Sequence, residues 1–278
     1  VNARDHIVDV LIAERAPRLA ASPVWPVVRP LLYALLDYGK ARRMADVIRT
    51  MSGRAALDHV SDLLALTAEI NGLERVPASG RAVILCNHPT GIADGVAVFD
   101  AVKARRPDIC FYANADAHRV SPGFDEVLIP VEWVEAKRTR ERTRRTLELT
   151  RAAMDSERCL VIFPAGRLAR READGKLWDP EWMASAVSIA RRHAAPLIPM
   201  HVDGPYSRLF HLFDRVSAEL RDITLFHELL NKRGRAFQLT AGPPIAPESL
   251  DGDAAEVTQR LKAYVETVLS HDPDQAFA

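Results

Sequence analysis

The residues best suited to chemistry lie in one short run, Cys86 to Gly95, with the sequence CNHPTGIADG. A histidine takes a proton from a hydroxyl at neutral pH, and a carboxylate on its other ring nitrogen fixes the tautomer and stabilises the imidazolium that forms. His88 and Asp94, with Pro89 and Gly91 among the residues between them, are a pair of this kind. Such a base contributes about 10²- to 10⁴-fold in rate. Asp94 also has a plainer reading, as the N-cap of the apolar periodic stretch through Val96, Val98, Phe99 and Val102.

A second run, Leu160 to Arg170 (LVIFPAGRLAR), again passes from an apolar strand into a Pro-Ala-Gly turn and a basic patch. Gly166 lets a ligand approach the backbone, and Arg167 can bind an anionic group; a strand-ending turn with solvated arginines is the alternative. The densest cationic run is Lys137 to Arg151, whose helical period brings Arg138, Arg142 and Arg145 near one face. That face is either solvated or suited to an anionic partner such as a lipid surface.

Other chemistries find less support. Cys86, Cys110 and Cys159 are widely spaced and set in or beside apolar runs, so they read as reduced core residues, and Cys86 as a poor nucleophile. The chain has no CxxC pair and no GxSxG elbow. Asp116 and His118 show no metal-ligand spacing, so no metal site is expected and the two are read as bordering a substrate pocket.

The elements that must hold these loops follow from hydrophobic pattern. Apolar runs at Ala82–Cys86, Ile109–Ala113, Val127–Val131, Cys159–Phe163, Pro196–Val202 and Phe237–Ala241 read as strands alternating with amphipathic helices. This predicts a mixed, partly parallel sheet flanked by helices, an α/β fold, with both chemical loops at the carboxyl ends of strands, where such sheets bind ligands. Residues 1–73 read as a helical N-terminal portion, including a helix over Met51 to Ile70, and residues 74–278 as the α/β domain. Further helices are expected over Arg221 to Arg233 and from about Ala254 to Leu269.

Composition narrows the partners. The 278 residues carry 37 Lys and Arg against 37 Asp and Glu and are 48% hydrophobic, the make-up of an ordinary globular chain with no basic excess for nucleic acid. No window approaches the roughly 20 apolar residues of a membrane span, and Asn2 to Asp9 shows no signal peptide. Val24 to Tyr38 suggests an amphipathic stretch that either packs on the core or lies on a membrane surface through Trp25 and its leucines, with Arg29 on the polar side.

Taken in order, the blocks NHPTGIADG, IPVEW followed by a basic helix, FPAGR and PLIPMHVDG resemble the glycerolipid acyltransferase family, over roughly Leu73 to Pro247. The resemblance implies that His88 and Asp94 form a catalytic dyad and that Phe163, Pro164, Gly166 and Arg167 help bind the acceptor. It further implies transfer of a fatty acyl chain from an acyl carrier protein or coenzyme A thioester to a lysolipid hydroxyl, with no cofactor. Five residues stand between His88 and Asp94 where the family usually has four, and Ala165 replaces a common glutamate. The NHPxGxxDG form looks like the branch that acylates lyso-ornithine and related aminolipids. The expectation is therefore a peripheral enzyme on the cytoplasmic face of the inner membrane with a lyso-aminolipid acceptor. A 1-acylglycerol-3-phosphate O-acyltransferase and a non-catalytic lipid-binding scaffold are the alternatives.

Overall fold

The computed structural model describes residues 5–132, 138–172 and 175–278. Asn2, Trp133 of the second block and Lys137 at the start of the basic run lie outside them. Helices α1 (Ile7–Arg15), α2 (Pro17–Ala21), α3 (Trp25–Leu35), α4 (Tyr38–Ile48) and α5 (Gly53–Leu64) come first. There follow β1 (Thr67–Asn71), β2 (Ala82–Cys86), α6 (Ile92–Val102), β3 (Cys110–Asn114), α7 (Asp116–Val120), β4 (Leu128–Val131), α8 (Arg140–Asp155) and β5 (Cys159–Ile162). After a small hairpin of β6 (Arg170–Arg171) and β7 (Leu177–Trp178) come α9 (Ser185–Arg192), β8 (Leu197–Asp203), α10 (Arg208–Val216), α11 (Ala218–Asp222), α12 (Leu225–Leu230), β9 (Ala236–Ala241) and α13 (Ala254–Ala263).

Among the described residues the main sheet runs β1-β9-β8-β2-β5-β3-β4. Every pair is parallel except β8 with β9. The carboxyl ends of β8, β2, β5, β3 and β4 therefore share one edge, with β2 and β5 side by side in the register Leu85 to Ile162. Both central strands are buried along their whole length, which is why AVILC and CLVI read as unbroken apolar runs. Their side chains still alternate: Ile84 and Val161 join the core beneath α1, α4, α5 and α6, whereas Val83, Leu85 and Leu160 join the core beneath α9 and α13.

The expected mixed α/β architecture is present. One element differs: the helix expected through Ile70 stops at Leu64, where Ala65 turns into the left-handed region, and Thr67–Asn71 becomes an edge strand paired with β9. Its polar, half-exposed pattern carries little hydrophobic signal. The N-terminal helices share the first core with the sheet, through Val8, Leu11, Met44 and Ile48.

Helix α3 keeps its amphipathic character with a different face outward. Leu32 and Leu36 are buried and Trp25 packs against the core, edge-on to Tyr33. The outward apolar residues are Val24, Val27, Leu31 and Leu35, with Val27 79% and Leu31 72% exposed. Arg29 is exposed and its guanidinium lies 5.9 Å from the Tyr33 ring. No helix of the described chain is long and apolar enough to cross a membrane.

Candidate active site

The loop after β2 is organised around Asp94. Gly91, with φ of 102° and ψ of −145°, is the N-cap of α6, a conformation that glycine alone adopts readily. Asp94 is thus not the cap residue but the third residue of the helix, and its carboxylate folds back over the loop. It accepts the Thr90 N–H at 2.9 Å, the Gly91 N–H at 3.0 Å and the Thr90 hydroxyl at 2.5 Å. The His88 Nδ1–H is its fourth donor, at 2.9 Å. Four donors and a helix N-terminus compensate a carboxylate that is fully removed from water. Thr90 and Gly91, among the five residues between the pair, bind the same carboxylate as the histidine.

With Nδ1 donating to Asp94, His88 presents Nε2 as the acceptor, and no described residue hydrogen-bonds that atom. The Phe163 ring lies 4.6 Å from the imidazole, tilted by 35°. Asn87 pins the end of β2 to β8, donating its amide to Val202 O at 2.9 Å and accepting Val202 N–H at 2.6 Å. In the sequence Asn87 carries no signal beyond its place in the motif, whereas its exchange with one backbone residue continues the ladder past the last strand pair.

The second loop meets the first. Phe163, Pro164 and Ala165 are buried, Gly166 takes φ of 60° and donates to Phe163 O at 3.1 Å, and Arg167 is exposed. Ala169 N–H donates to the His88 carbonyl at 3.0 Å, tying the two loops together. The basic helix α8 keeps Arg145 exposed, while Arg142 pairs with Glu132 at 2.7 Å and Arg138 donates to the Glu132 carbonyl.

A cleft of about 230 Å³ opens beside the dyad loop. It reaches that loop through Gly91, Ile92 and Leu168, and His88 itself does not line it. Glu14 and Arg15 of α1, Asn114, Asp116 and Glu132 form one side; Phe210, Arg221, Asp222, Thr224, Leu225 and Glu228 form the other. The charges alternate: Arg15 meets Asp116 at 2.8 Å, Arg119 meets Glu14 at 2.7 Å, and Arg221 meets Asp222 at 2.7 Å. Glu228, buried, pairs with the buried Lys232 at 3.2 Å. Asp116 borders the cleft as expected, whereas His118 turns to Asp125.

Among the described residues no cluster of histidine, cysteine and acidic side chains could hold a metal ion. The three cysteines are free and buried, and burial pushes the Cys86 thiol well up, which removes it as a nucleophile. A histidine–aspartate pair with a free Nε2 at the carboxyl edge of a mostly parallel sheet remains.

Residues 67–203, which hold the dyad and the Phe163–Gly166 turn, match the acyltransferase family. The chain carries an acyltransferase-family domain. Lyso-glycine lipid O-acyltransferases of Phocaeicola vulgatus and Bacteroides thetaiotaomicron are similar to it. The first is 27% identical over 202 residues, covering 70% of each chain. The second is 24% identical over 201 residues, covering 70% of this chain and 72% of the relative. The fold is shared with the crystal structure of the 1-acyl-sn-glycerophosphate acyltransferase of Thermotoga maritima, at a TM-score of 0.50 and 14% identity over 94% of this chain and 98% of that one.

Proposed function

We propose that this acyltransferase moves a fatty acyl chain from an acyl carrier protein or coenzyme A thioester to the hydroxyl of a lyso-aminolipid. The observation that carries the reading is His88, held by the buried Asp94 with Nε2 unbonded, beside a cleft of alternating charge. The acceptor hydroxyl gives its proton to Nε2 as its oxygen attacks the thioester carbonyl. The tetrahedral intermediate then expels the thiolate, which takes the proton back from the imidazolium, so the enzyme ends unchanged. No covalent enzyme intermediate is required.

The lining of the cleft favours an aminolipid over lysophosphatidate. Carboxylates of Glu14, Asp116, Glu132, Asp222 and Glu228 face the space together with the guanidiniums of Arg15 and Arg221. Each of these carboxylates is paired with a cation, Glu14 with Arg119, Asp116 with Arg15, Glu132 with Arg142, Asp222 with Arg221 and Glu228 with Lys232, so the wall offers both signs of charge, and the N–H donors and the carboxylate of an aminolipid each find partners there. The names of the two curated relatives support the same acceptor class. The test is acyl transfer by purified protein to a panel of lysolipids. Lyso-aminolipids are expected to be acylated with higher kcat/KM; preference for lysophosphatidate would overturn the choice of acceptor and favour the 1-acylglycerol-3-phosphate reading.

The exposed apolar face of α3 suits a monotopic seat on the cytoplasmic face of the inner membrane, consistent with a lipid substrate. Replacing Leu31 by Ser is expected to weaken binding to anionic vesicles, read by sedimentation, by about tenfold or more, since burying a leucine contributes about 1.5–3 kcal/mol. Unchanged sedimentation would reject that face.

A further inference from the structure

A second buried carboxylate touches the dyad loop from the side opposite Asp94. Asp179, immediately after β7, accepts the main-chain N–H of His88 on both oxygens, at 3.1 and 3.0 Å. The indole N–H of the buried Trp182 donates to the same carboxylate at 2.9 Å. Asp179 is held in turn by its own N–H, which donates to Glu266 at 2.8 Å, and Glu266 is paired with Lys262. The neighbouring Met183 N–H donates to Pro164 O at 3.1 Å, so this short segment clamps the dyad loop and the Phe163–Gly166 turn at once.

We propose that Asp179 is a positioning residue for the reaction: it fixes the backbone at His88 and, through its charge, sets how readily the imidazole takes a proton. The inference rests on His88 being the base. Asp94 orients the ring, but the ring is carried by a backbone that sits beyond the last residue of β2. Without Asp179 the His88 amide would lose its partner in a place with little water to replace it.

The charged and titratable groups facing Asp179 are His88 and Asp94 from the dyad loop, Cys86 from β2, and Glu266 with its partner Lys262 from the C-terminal helix. Burial, and then the Glu266 charge, push the Asp179 carboxyl up to about 7; the His88 charge and the Trp182 and His88 hydrogen bonds act against that rise. Its charge therefore changes near neutral pH, and with it the field at the imidazole. An ionised Asp179 favours the imidazolium, and a neutral one withdraws that support.

The experiment is an NMR titration of the His88 imidazole in the full-length protein, wild type against Asp179→Asn, with kcat and KM measured alongside. Asparagine keeps an oxygen for the His88 N–H and removes the charge. The expected result is a His88 midpoint that is lower in the variant than in the wild type, since asparagine carries no charge to support the imidazolium. Acyl transfer is expected to lose about 10- to 100-fold in kcat, the scale of a displaced catalytic group, with KM nearly unchanged. An unmoved His88 midpoint in a folded variant would overturn the proposal. Should Asp179→Asn not fold, Trp182→Phe removes one donor and keeps the carboxylate; a smaller shift of the midpoint in the same direction is expected, and none would overturn it. The titration needs no substrate, so a wild type without acyl transfer would sink the functional reading while leaving this test standing.

Discussion

The dyad loop and the charged cleft beside it are built in opposite ways. Around His88, one carboxylate without solvent exposure collects four hydrogen bonds from residues within six positions of it in sequence, and a second buried carboxylate holds the backbone. The cleft draws its charges from α1, α7, the residue after β4, α11 and α12, and most of its pairs, such as Arg119 with Glu14, keep contact with water. Exposed pairs of that kind contribute about 0.2–1 kcal/mol each, whereas removing one partner of a buried charged network costs several-fold more. Under the proposed function, rate rests on a few buried interactions, and choice of acceptor on many exposed ones that can be exchanged one at a time.

Substitutions can break that contrast. His88→Ala should lose about 10²- to 10⁴-fold in kcat with an unchanged fold, and Asp94→Asn should match it while also lowering Tm, because the asparagine NH₂ turns one donor against the Thr90 and Gly91 amides. Near-normal turnover in both, measured as acyl transfer with a thioester donor, would end the dyad assignment. Next in size is a pH effect on stability. Folded Asp179 holds its proton up to about 7 against 3.8 for an ordinary aspartate, so the folded state binds the extra proton between these values. Stability then falls as pH rises through that window. The Tm of Asp179→Asn relative to wild type is expected to climb from about pH 4 to about pH 8, and a flat difference by calorimetry would contradict the buried charge. Smallest is Arg221→Gln in the cleft wall, expected to raise acceptor KM by about two- to fivefold with little change in kcat. A loss of kcat as large as that of the dyad variants would erase the distinction between the two regions.

These differences also explain what could be read in advance. The His88–Asp94 pair and the Phe163–Gly166 turn are contiguous stretches at the ends of fully apolar strands, so both the loops and their placement on one sheet edge follow from local pattern. Asp179 is 91 positions from His88 and sits in a stretch without apolar period, and nothing local marks it as that residue's partner. The cleft walls meet only when α1 and the α10–α12 segment pack near the same edge, a tertiary event that no window of sequence records. Edge strand β1 was lost for a related reason: its alternation is polar and faint, and it follows a strongly periodic helix. On α3 the amphipathic pattern was legible, but which apolar residues face inward is decided by Tyr33 and the core beneath it.

Glu14 and Arg15 stand at the end of α1, and Glu219 of α11 accepts the Arg18 and Leu19 amides of α2, which leads into the outward-facing α3. Under the proposed function, the segment offered to the lipid surface is thus joined through α2 to the helix that forms one wall of the cleft assigned to the head group. Exchanging α1 to α3 for those of a relative is then expected to alter acceptor preference as well as membrane binding.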